Sequence, residues 1–175
     1  MLKKISMGLI LVVVVILGLA LTQPDSFKVQ RSASIKAPPE KIMGYLNDFH
    51  QWTAWSPWEK KDPNMQRTFD GAASGKGAVY AWNGNGEVGQ GRMEIIENAA
   101  PTQLAIKLDF IKPFASSNRA EFALQPQGES TVVTWTMTGP SLFVTKVMGV
   151  FFSMDKMIGK DFEKGLAQLK MAAEK

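Results

Sequence analysis

Strand-like segments fill most of the chain after residue 60, and they restrict the fold more than any other feature. Six of them follow one another, separated by turns rich in Gly, Asn and Pro. They are residues 65–70, 78–83, 88–97, 103–111, 115–125 and 130–138. The clearest, 103–111, alternates apolar and polar side chains, as a half-buried antiparallel strand does. Because such short connections join antiparallel neighbours, the segments predict one antiparallel sheet with an apolar face.

The apolar face of this sheet needs a cover, and the flanking elements supply it. An alternating segment at residues 27–35 predicts a further strand, and a short helix is expected over 39–46, followed by a second short turn. Beyond Gly159, apolar residues recur at helical spacing to the C-terminus. Only this last helix is long enough to cover the sheet. The predicted fold is therefore α+β, with a curved antiparallel sheet of about seven strands around a long C-terminal helix.

The N-terminus carries a different signal. Residues 5–21 are seventeen consecutive residues without a charge, which a helix would extend over roughly 26 Å, near the lower limit for a bilayer core. We interpret them as a transmembrane helix that is retained as an anchor. A cleaved signal sequence, or an apolar core helix, would also fit the pattern. The predicted division is an anchor and hinge at residues 1–26 and a folded domain at 27–175.

Composition excludes several functional classes. The chain has 20 Lys and Arg against 16 Asp and Glu, for a net charge of +4, which is a weak signal for nucleic acid. It has no Cys and a single histidine, His50. Disulfides, thiolate nucleophiles and cysteine-type zinc sites are therefore excluded, and a histidine metal cage has only one ligand available. We expect neither a metal nor a cofactor.

Acid and base catalysts are also scarce. A cyclase or dehydratase needs a positioned acid or base with a perturbed pKa. His50, Asp70 and Tyr80 are the candidates, and each also fits an ordinary role at a surface, a turn or a strand. We predict no catalytic residue, and we keep an enzyme using one of these three as an alternative.

Four segments carry a family resemblance. They read V-x-R-S-x-x-I-x-A-P-P-E at residues 29–40, W-x-x-W-S-P-W-E-x-x-D-P-N at 52–64, G-x-G-x-x-Y-x-W at 75–82 and M-D-K-M-I-G-x-D-F-E-x-G-L at 154–166. With the element order, they resemble the START-like, or SRPBCC, superfamily, in its bacterial branch labelled polyketide cyclase/dehydrase-like. The resemblance implies a helix-grip fold with a hydrophobic cavity between sheet and C-terminal helix. Members use that cavity for lipids, sterols, polyketides and other apolar ligands, and a minority are enzymes.

The predicted ligand-binding residues lie on the apolar sheet face, in the tryptophan-rich segment and on the last helix. They are Trp55, Trp58, Trp82, Met93, Phe110, Asn118, Phe122, Trp135, Met154 and Ile158. Asn118 is the one polar member of its strand face, and a lone polar group on an apolar wall can orient a ligand. The same residues would equally fit a filled core, in which the tryptophans attach the short helices to the sheet.

The stretch 142–154 is apolar and too short to span a bilayer. Burial under the sheet, a lid over the cavity and contact with the membrane are three interpretations of it.

We therefore expect a binding protein for a lipid or other hydrophobic small molecule, attached to the inner (cytoplasmic) membrane by a single pass. Lys3 and Lys4 precede the apolar run and favour an extracytoplasmic domain, although Lys28 and Arg31 follow the run closely. The alternatives are a cyclase, dehydratase or hydrolase on an apolar substrate, and a protein-interaction module that uses the tryptophans or the stretch 142–154.

Overall fold

The computed structural model describes residues 2–151 and 153–175, and the side chains of residues 6–151, 153 and 155–175. Its helices are α1 (Leu2–Leu21), α2 (Pro39–Leu46), α3 (Phe143–Gly149) and α4 (Met154–Ala173), with two short 3-10 helices at Phe49–Ala54 and Pro57–Lys60. Its strands are β1 (Ser26–Ile35), β2 (Gln66–Gly71), β3 (Ala78–Asn83), β4 (Gln90–Ala99), β5 (Gln103–Lys112), β6 (Ser116–Gln127) and β7 (Ser130–Pro140).

The strands form one antiparallel sheet in the order β1-β7-β6-β5-β4-β3-β2. Five neighbouring pairs are consecutive in the chain, as their short connections require. The exception is β1, which pairs with the last strand so that Val29 lies opposite Met137. The predicted seven-stranded antiparallel sheet with a C-terminal helix is confirmed.

Helix α4 covers one face of the sheet, which we call the inner face. Ser153 caps the helix by accepting a hydrogen bond from the Lys156 N–H, which satisfies one of the free donors of the first turn. Phe162, Leu166 and Leu169 recur at helical spacing and are buried in the core. The helix begins at Met154, five residues before the predicted start near Gly159, because its N-cap, Ser153, lies upstream of the apolar repeat.

Helices α1 and α3 lie apart from this core. Helix α3 packs against α1, and Ala20 near the end of α1 is fully buried. The interpretation that the stretch 142–154 is buried under the sheet is wrong, because α3 contains no buried residue. Within the described part of the chain, no helix combines the length and the apolar character needed to cross a bilayer. The predicted transmembrane helix gains no support from this finding.

Both helices adjoin one end of the sheet. The first residue of β1, Ser26, pairs with Pro140 at the end of β7, and Phe110 near the end of β5 pairs with Ser116 at the start of β6. The start of β1, the end of β7 and the β5–β6 turn therefore share one end of the sheet. We call it the α1 end.

Candidate functional site

The inner face divides into two halves, and the half farther from the α1 end is filled with aromatic rings. We call it the aromatic half. It consists of Trp52, Trp55, Trp58, Phe122, Trp135 and Phe162. All of these except the half-buried Trp58 expose 4% or less of their surface. Trp55, Trp58, Phe122 and Trp135, which the sequence analysis proposed as ligand-binding residues, therefore pack against other protein side chains.

Trp135 on β7 is the centre of the aromatic half. Its ring stacks on Phe162 of α4 with a centroid separation of 3.9 Å and an interplanar angle of 7°. Trp55 and Trp58 approach the same ring edge-on at 5.5 and 5.7 Å, a favoured aromatic geometry. These contacts occupy the space between β7 and α4, so Trp55, Phe122 and Trp135 serve the core at these positions.

The hydrogen bonds of the tryptophans show how the local chain fixes them. The indole N–H groups of Trp52 and Trp55 donate to the carbonyls of Leu46 and Tyr45 at the end of α2, each over 3.0 Å. The two indoles thereby anchor the first 3-10 helix to α2. Trp135 Nε1 is different, because it is buried and has no hydrogen-bond partner among the described residues.

The second half of the inner face lies towards the α1 end, and we call it the open half. It consists of Met93, Leu108, Asn118, Ala120 and Met137 on the sheet, with Ile158 of α4 partly buried against the same core. The five sheet residues expose between 5 and 9% of their surface. These side chains are therefore slightly more exposed to solvent than Trp135 at the centre of the aromatic half, which exposes 3% of its surface.

Asn118 is the polar residue of the open half. It lies opposite Leu108, which in turn lies opposite Met93. Its amide Nδ2 donates to Ser116 Oγ over 3.2 Å, and its Oδ1 is buried without a hydrogen-bond partner in the described part of the chain. A Cβ at position 139 would collide with this oxygen, so Gly139 makes space for the amide.

Trp82 and Phe110 form the rim of the open half. Their rings meet edge-to-face at 5.9 Å, and the Trp82 indole donates to the Val88 carbonyl. Gly91 lies between them in the sheet register. The ring of Trp82 occupies the space where a Gly91 side chain would be. Gly91 thus allows the Trp82 ring to approach the backbone of β4. The missing side chain leaves no space for a ligand, because the ring fills it.

The structure therefore separates the predicted ligand-binding residues into two groups. Trp82, Met93, Phe110, Asn118 and Ile158 lie in or beside the open half, and Trp55, Trp58, Phe122 and Trp135 lie in the aromatic half. The side chain of Met154 lies outside the described residues.

An ionic cluster that the sequence analysis missed holds the first half of α4 to β1. Arg31 donates to Asp155 at 2.8 Å and to Glu163 at 2.7 Å. A Cβ at Gly159 would collide with the guanidinium, so the glycine lets Arg31 cross the helix. These hydrogen bonds lower the pKa of Asp155 and raise that of Arg31. The partners are more than 120 residues apart in the chain, and no local spacing indicates the pair.

Tyr80, one of the alternative catalytic residues, belongs to a second buried network. Its hydroxyl donates to Glu59 Oε1 over 2.7 Å, and Arg67 donates to Glu59 Oε2 over 2.7 Å. Burial, followed by the hydrogen bond to Glu59, raises the pKa of Tyr80 above its usual 10. The phenol is therefore a weaker acid than usual, and both oxygens of Glu59 are engaged. This arrangement joins the second 3-10 helix to β2 and β3.

His50 and Asp70 meet at the surface. They line a shallow pocket of about 190 Å³ with Phe49 and Phe69, and the His50 ring stacks on Phe69 at 4.1 Å. His50 Nδ1 also lies 2.9 Å from Asp48 Oδ1. A second pocket of similar volume lies among Glu97, Glu121 and Thr136 on the outer face. Neither pocket lies between the sheet and α4, and the described residues contain no cluster of three or more metal-ligating side chains.

A seven-stranded sheet that holds a C-terminal helix against an apolar face defines a helix-grip domain. This chain belongs to the polyketide cyclase / dehydrase and lipid transport family, whose model matches residues 26–174. The suspected family is thereby confirmed, and its description favours a hydrophobic ligand.

Solved structures share the fold at low sequence identity. Protein CV1439 from Chromobacterium violaceum is 12% identical with a TM-score of 0.61, over 87% of this chain and 99% of that chain. Major latex-like protein 151 from Panax ginseng is 12% identical with a TM-score of 0.61, over 86% and 99%. The Aha1 dimer from Colwellia psychrerythraea is 18% identical with a TM-score of 0.57, over 85% and 96%. No curated protein matches the chain.

Proposed function

We propose that the domain binds a hydrophobic small molecule or lipid in the open half of the inner face, without covalent chemistry. The family description supports an apolar ligand. The slight solvent access of Met93, Leu108 and Met137 supports this half as the site, since the aromatic half is already filled. Trp82, Phe110 and Ile158 would line its edge.

The unpaired Oδ1 of Asn118 is the observation that carries this proposal. A buried amide oxygen without a partner typically destabilises a protein by about 1 to 3 kcal/mol. Such groups are rare, and each one calls for a bound partner or another reason. A ligand group that donates a hydrogen bond to this oxygen would remove the penalty. The proposed ligand therefore has an apolar body and a hydroxyl or N–H donor.

We also propose that α1 attaches the domain to the cytoplasmic membrane, with the domain on the extracytoplasmic side. From Met7 to Leu21, eleven large apolar side chains of α1 are exposed. Water solvates such a surface poorly, whereas lipid accommodates it. Lys3 and Lys4 precede the apolar run and favour retention of the N-terminus in the cytoplasm. Measuring protease access to the domain in sealed spheroplasts tests this orientation.

Native mass spectrometry of the full chain, released from detergent micelles, tests ligand binding. We expect an apolar adduct on the protein as purified. Dodecanol should compete for the same site, and its methyl ether, which lacks the donor, should bind several-fold more weakly. The proposal would be contradicted if the purified protein carried no adduct and if dodecanol and its methyl ether bound equally well.

Two variants locate the site. Asn118→Leu should abolish the preference for the alcohol over the ether while keeping apolar binding. The control is Asn98→Leu, because Asn98 also carries a buried unpaired Oδ1 but lies near the end of β4, away from the α1 end. This control should bind both compounds as the wild type does.

A further inference from the structure

Exposed apolar side chains outside α1 are concentrated at the α1 end. Six large apolar residues there each expose between 39 and 60% of their surface, and we call them the end patch. They are Ile111, Phe114, Phe143, Met148, Phe151 and Met157. In the rest of the described domain, only Phe69 and Met171 are comparably exposed large apolar residues. A soluble surface scatters such residues singly, and a cluster marks a contact surface.

Two separate parts of the chain build the end patch. Ile111 near the end of β5 and Phe114 in the β5–β6 turn form one part. The other part consists of Phe143 and Met148 on α3, Phe151 just after α3 and Met157 in the first turn of α4. The strand register brings these parts to one end of the sheet. The start of the domain is fixed to α3 there, because Ser141 N–H donates to the Asp25 carbonyl over 2.8 Å and Lys146 pairs with the Asp25 carboxylate.

The continuity of the end patch with α1 indicates what covers it. Helix α1 is roughly 30 Å long. Its apolar side chains are exposed along most of that length, and it packs against α3. A bilayer that surrounds α1 would therefore reach α3 and the neighbouring β5–β6 turn. A partner that covered the end patch alone would leave α1 uncovered.

The charges at this end fit an anionic lipid surface. Lys28, Lys112 and Lys156 are exposed there and form no ion pair among the described residues. The nearby carboxylates of Asp25 and Asp155 are paired with Lys146 and Arg31. Glu87 is the remaining exposed acid in the adjoining β3–β4 turn. Exposed lysines beside apolar side chains are typical of protein segments that rest in the headgroup region.

We propose that the end patch rests on the surface of an anionic lipid bilayer, with Phe114 and Phe151 inserted at the boundary between headgroups and acyl chains. This inference rests on the proposed membrane attachment through α1. Asn118 is the third residue of β6, so the open half adjoins the end patch. The docked domain would then receive its apolar ligand directly from the lipid.

Site-specific labelling tests this orientation, because the chain contains no cysteine. Single-cysteine variants of the full chain at Phe114, Phe151 and Met171 are labelled with a nitrobenzoxadiazole dye. A fourth variant, Val13→Cys, reports on α1. Each protein is reconstituted into vesicles of phosphatidylcholine and phosphatidylglycerol. Nitroxide-bearing lipids then quench labels in the bilayer, and aqueous iodide quenches labels in water.

We expect labels at 13, 114 and 151 to be quenched several-fold more by nitroxide lipid than the label at 171, which iodide should quench. Lipid contact at 13 combined with iodide access at 114 and 151 would overturn the end-patch proposal while leaving attachment intact. Iodide access at 13 would overturn the attachment and the proposal with it. Protection at 114 and 151 from both quenchers would indicate a protein partner or a second copy, and would also overturn it.

All four labelled positions are exposed, so the dye requires no rearrangement of the core. The double variant Ile111→Asp and Phe114→Asp provides a measurement without a dye. It should keep the near-ultraviolet circular dichroism of the aromatic half and increase iodide quenching of the label at 151. Unchanged iodide quenching of the label at 151 would contradict the proposal that Phe114 and Phe151 contact the same lipid surface.

Discussion

The two halves of the inner face are built from similar apolar residues but reach different packing. In the aromatic half, Trp135 is enclosed by four rings: Trp55 at the end of the first 3-10 helix, Trp58 in the second, Phe122 of β6 and Phe162 of α4. In the open half, the corresponding positions are Ala120, Met137 and Asn118, which offer less volume and one unpaired oxygen. One half of the sheet face is thus packed for stability, and the other is the half to which we assign the proposed binding site.

The two halves of α4 are also attached to the sheet in different ways. Phe162, Leu166 and Leu169 hold its second half by apolar packing. Its first half is held by the bonds from Arg31 to Asp155 and Glu163 across Gly159. Exposed ion pairs contribute little to stability, so this end of α4 can separate from the sheet more easily. Movement of that end would admit a ligand to the open half.

The largest expected effect is that of removing the central ring of the aromatic half. Trp135→Ala should lower the free energy of unfolding by about 3 to 5 kcal/mol, because it leaves a cavity among rings that cannot close. Urea unfolding followed by far-ultraviolet circular dichroism measures it. Trp135→Phe is the control, since it keeps a stacked ring and removes the unpaired Nε1 donor, and it should be clearly less destabilising. Equal losses for both variants would contradict the role given to stacking.

A matched pair of leucines on β5 compares the two halves directly. Leu104 exposes 2% of its surface beside the aromatic half, and Leu108 exposes 9% in the open half. Leu→Ala at a buried site typically destabilises by about 2 to 5 kcal/mol. We expect the loss of unfolding free energy to lie near the upper end of that range for Leu104→Ala and near the lower end for Leu108→Ala. The same urea measurement gives both values. The reverse order would remove the distinction between the halves.

Gly159→Ala tests the ionic attachment of α4. The added Cβ would displace the Arg31 guanidinium from Asp155 and Glu163. We expect only a small loss of overall stability, because exposed ion pairs contribute little. Hydrogen exchange should increase in the first turns of α4 and remain slow around Leu166. Gly165→Ala is no substitute as a control, because its Cβ would approach Trp135 and Pro57. Exchange that rises equally along α4 would contradict separate attachment of its two halves.

Asn118→Leu should change stability by less than about 1 kcal/mol, because it removes a buried oxygen that has no partner. Its effect should appear in binding, as a several-fold loss of the preference for dodecanol over the methyl ether, measured by native mass spectrometry. A large destabilisation with unchanged preference would assign Asn118 to the fold and not to the site.

The smallest effect concerns pH. Hydrogen bonds from Arg31 hold the pKa of Asp155 below its usual 3.8, so the pair stabilises the fold above about that pH. The contribution is lost as the pH falls through the lower pKa of the folded state. Because Asp155 is solvent-exposed, the change should be small and confined to pH below 3.8. Arg31→Met should abolish it in urea titrations across that range, and an unchanged acid dependence would contradict the pairing.

Much of the fold was predictable from local patterns. Alternation in 103–111 and its neighbours indicated the antiparallel sheet, and the spacing of Phe162, Leu166 and Leu169 indicated the covering helix. The pairing of β1 with β7 has no local signal, since it joins the first strand to the last. The sequence analysis therefore did not predict this pairing.

The candidate site was predictable only as a set of apolar faces. Alternation places Phe122 and Asn118 on the same face of the sheet. It does not indicate which of these positions are covered by side chains from other elements. The rings that fill the aromatic half come from the 3-10 helices and α4, and their contacts with β7 are non-local. The pairing of Arg31 with Asp155 was missed for the same reason.

Photo-crosslinking shows directly whether an apolar ligand occupies the open half. The full chain in nanodiscs of phosphatidylcholine and phosphatidylglycerol is irradiated with a long-chain alcohol that bears a diazirine near the middle of its chain, and the modified peptides are mapped by mass spectrometry. Our account predicts modification at Met93, Leu108, Met137 or Ile158, and its loss in Ala120→Phe, which fills the open half. Modification confined to α1 or to the surface pocket at His50 and Phe69 would contradict it.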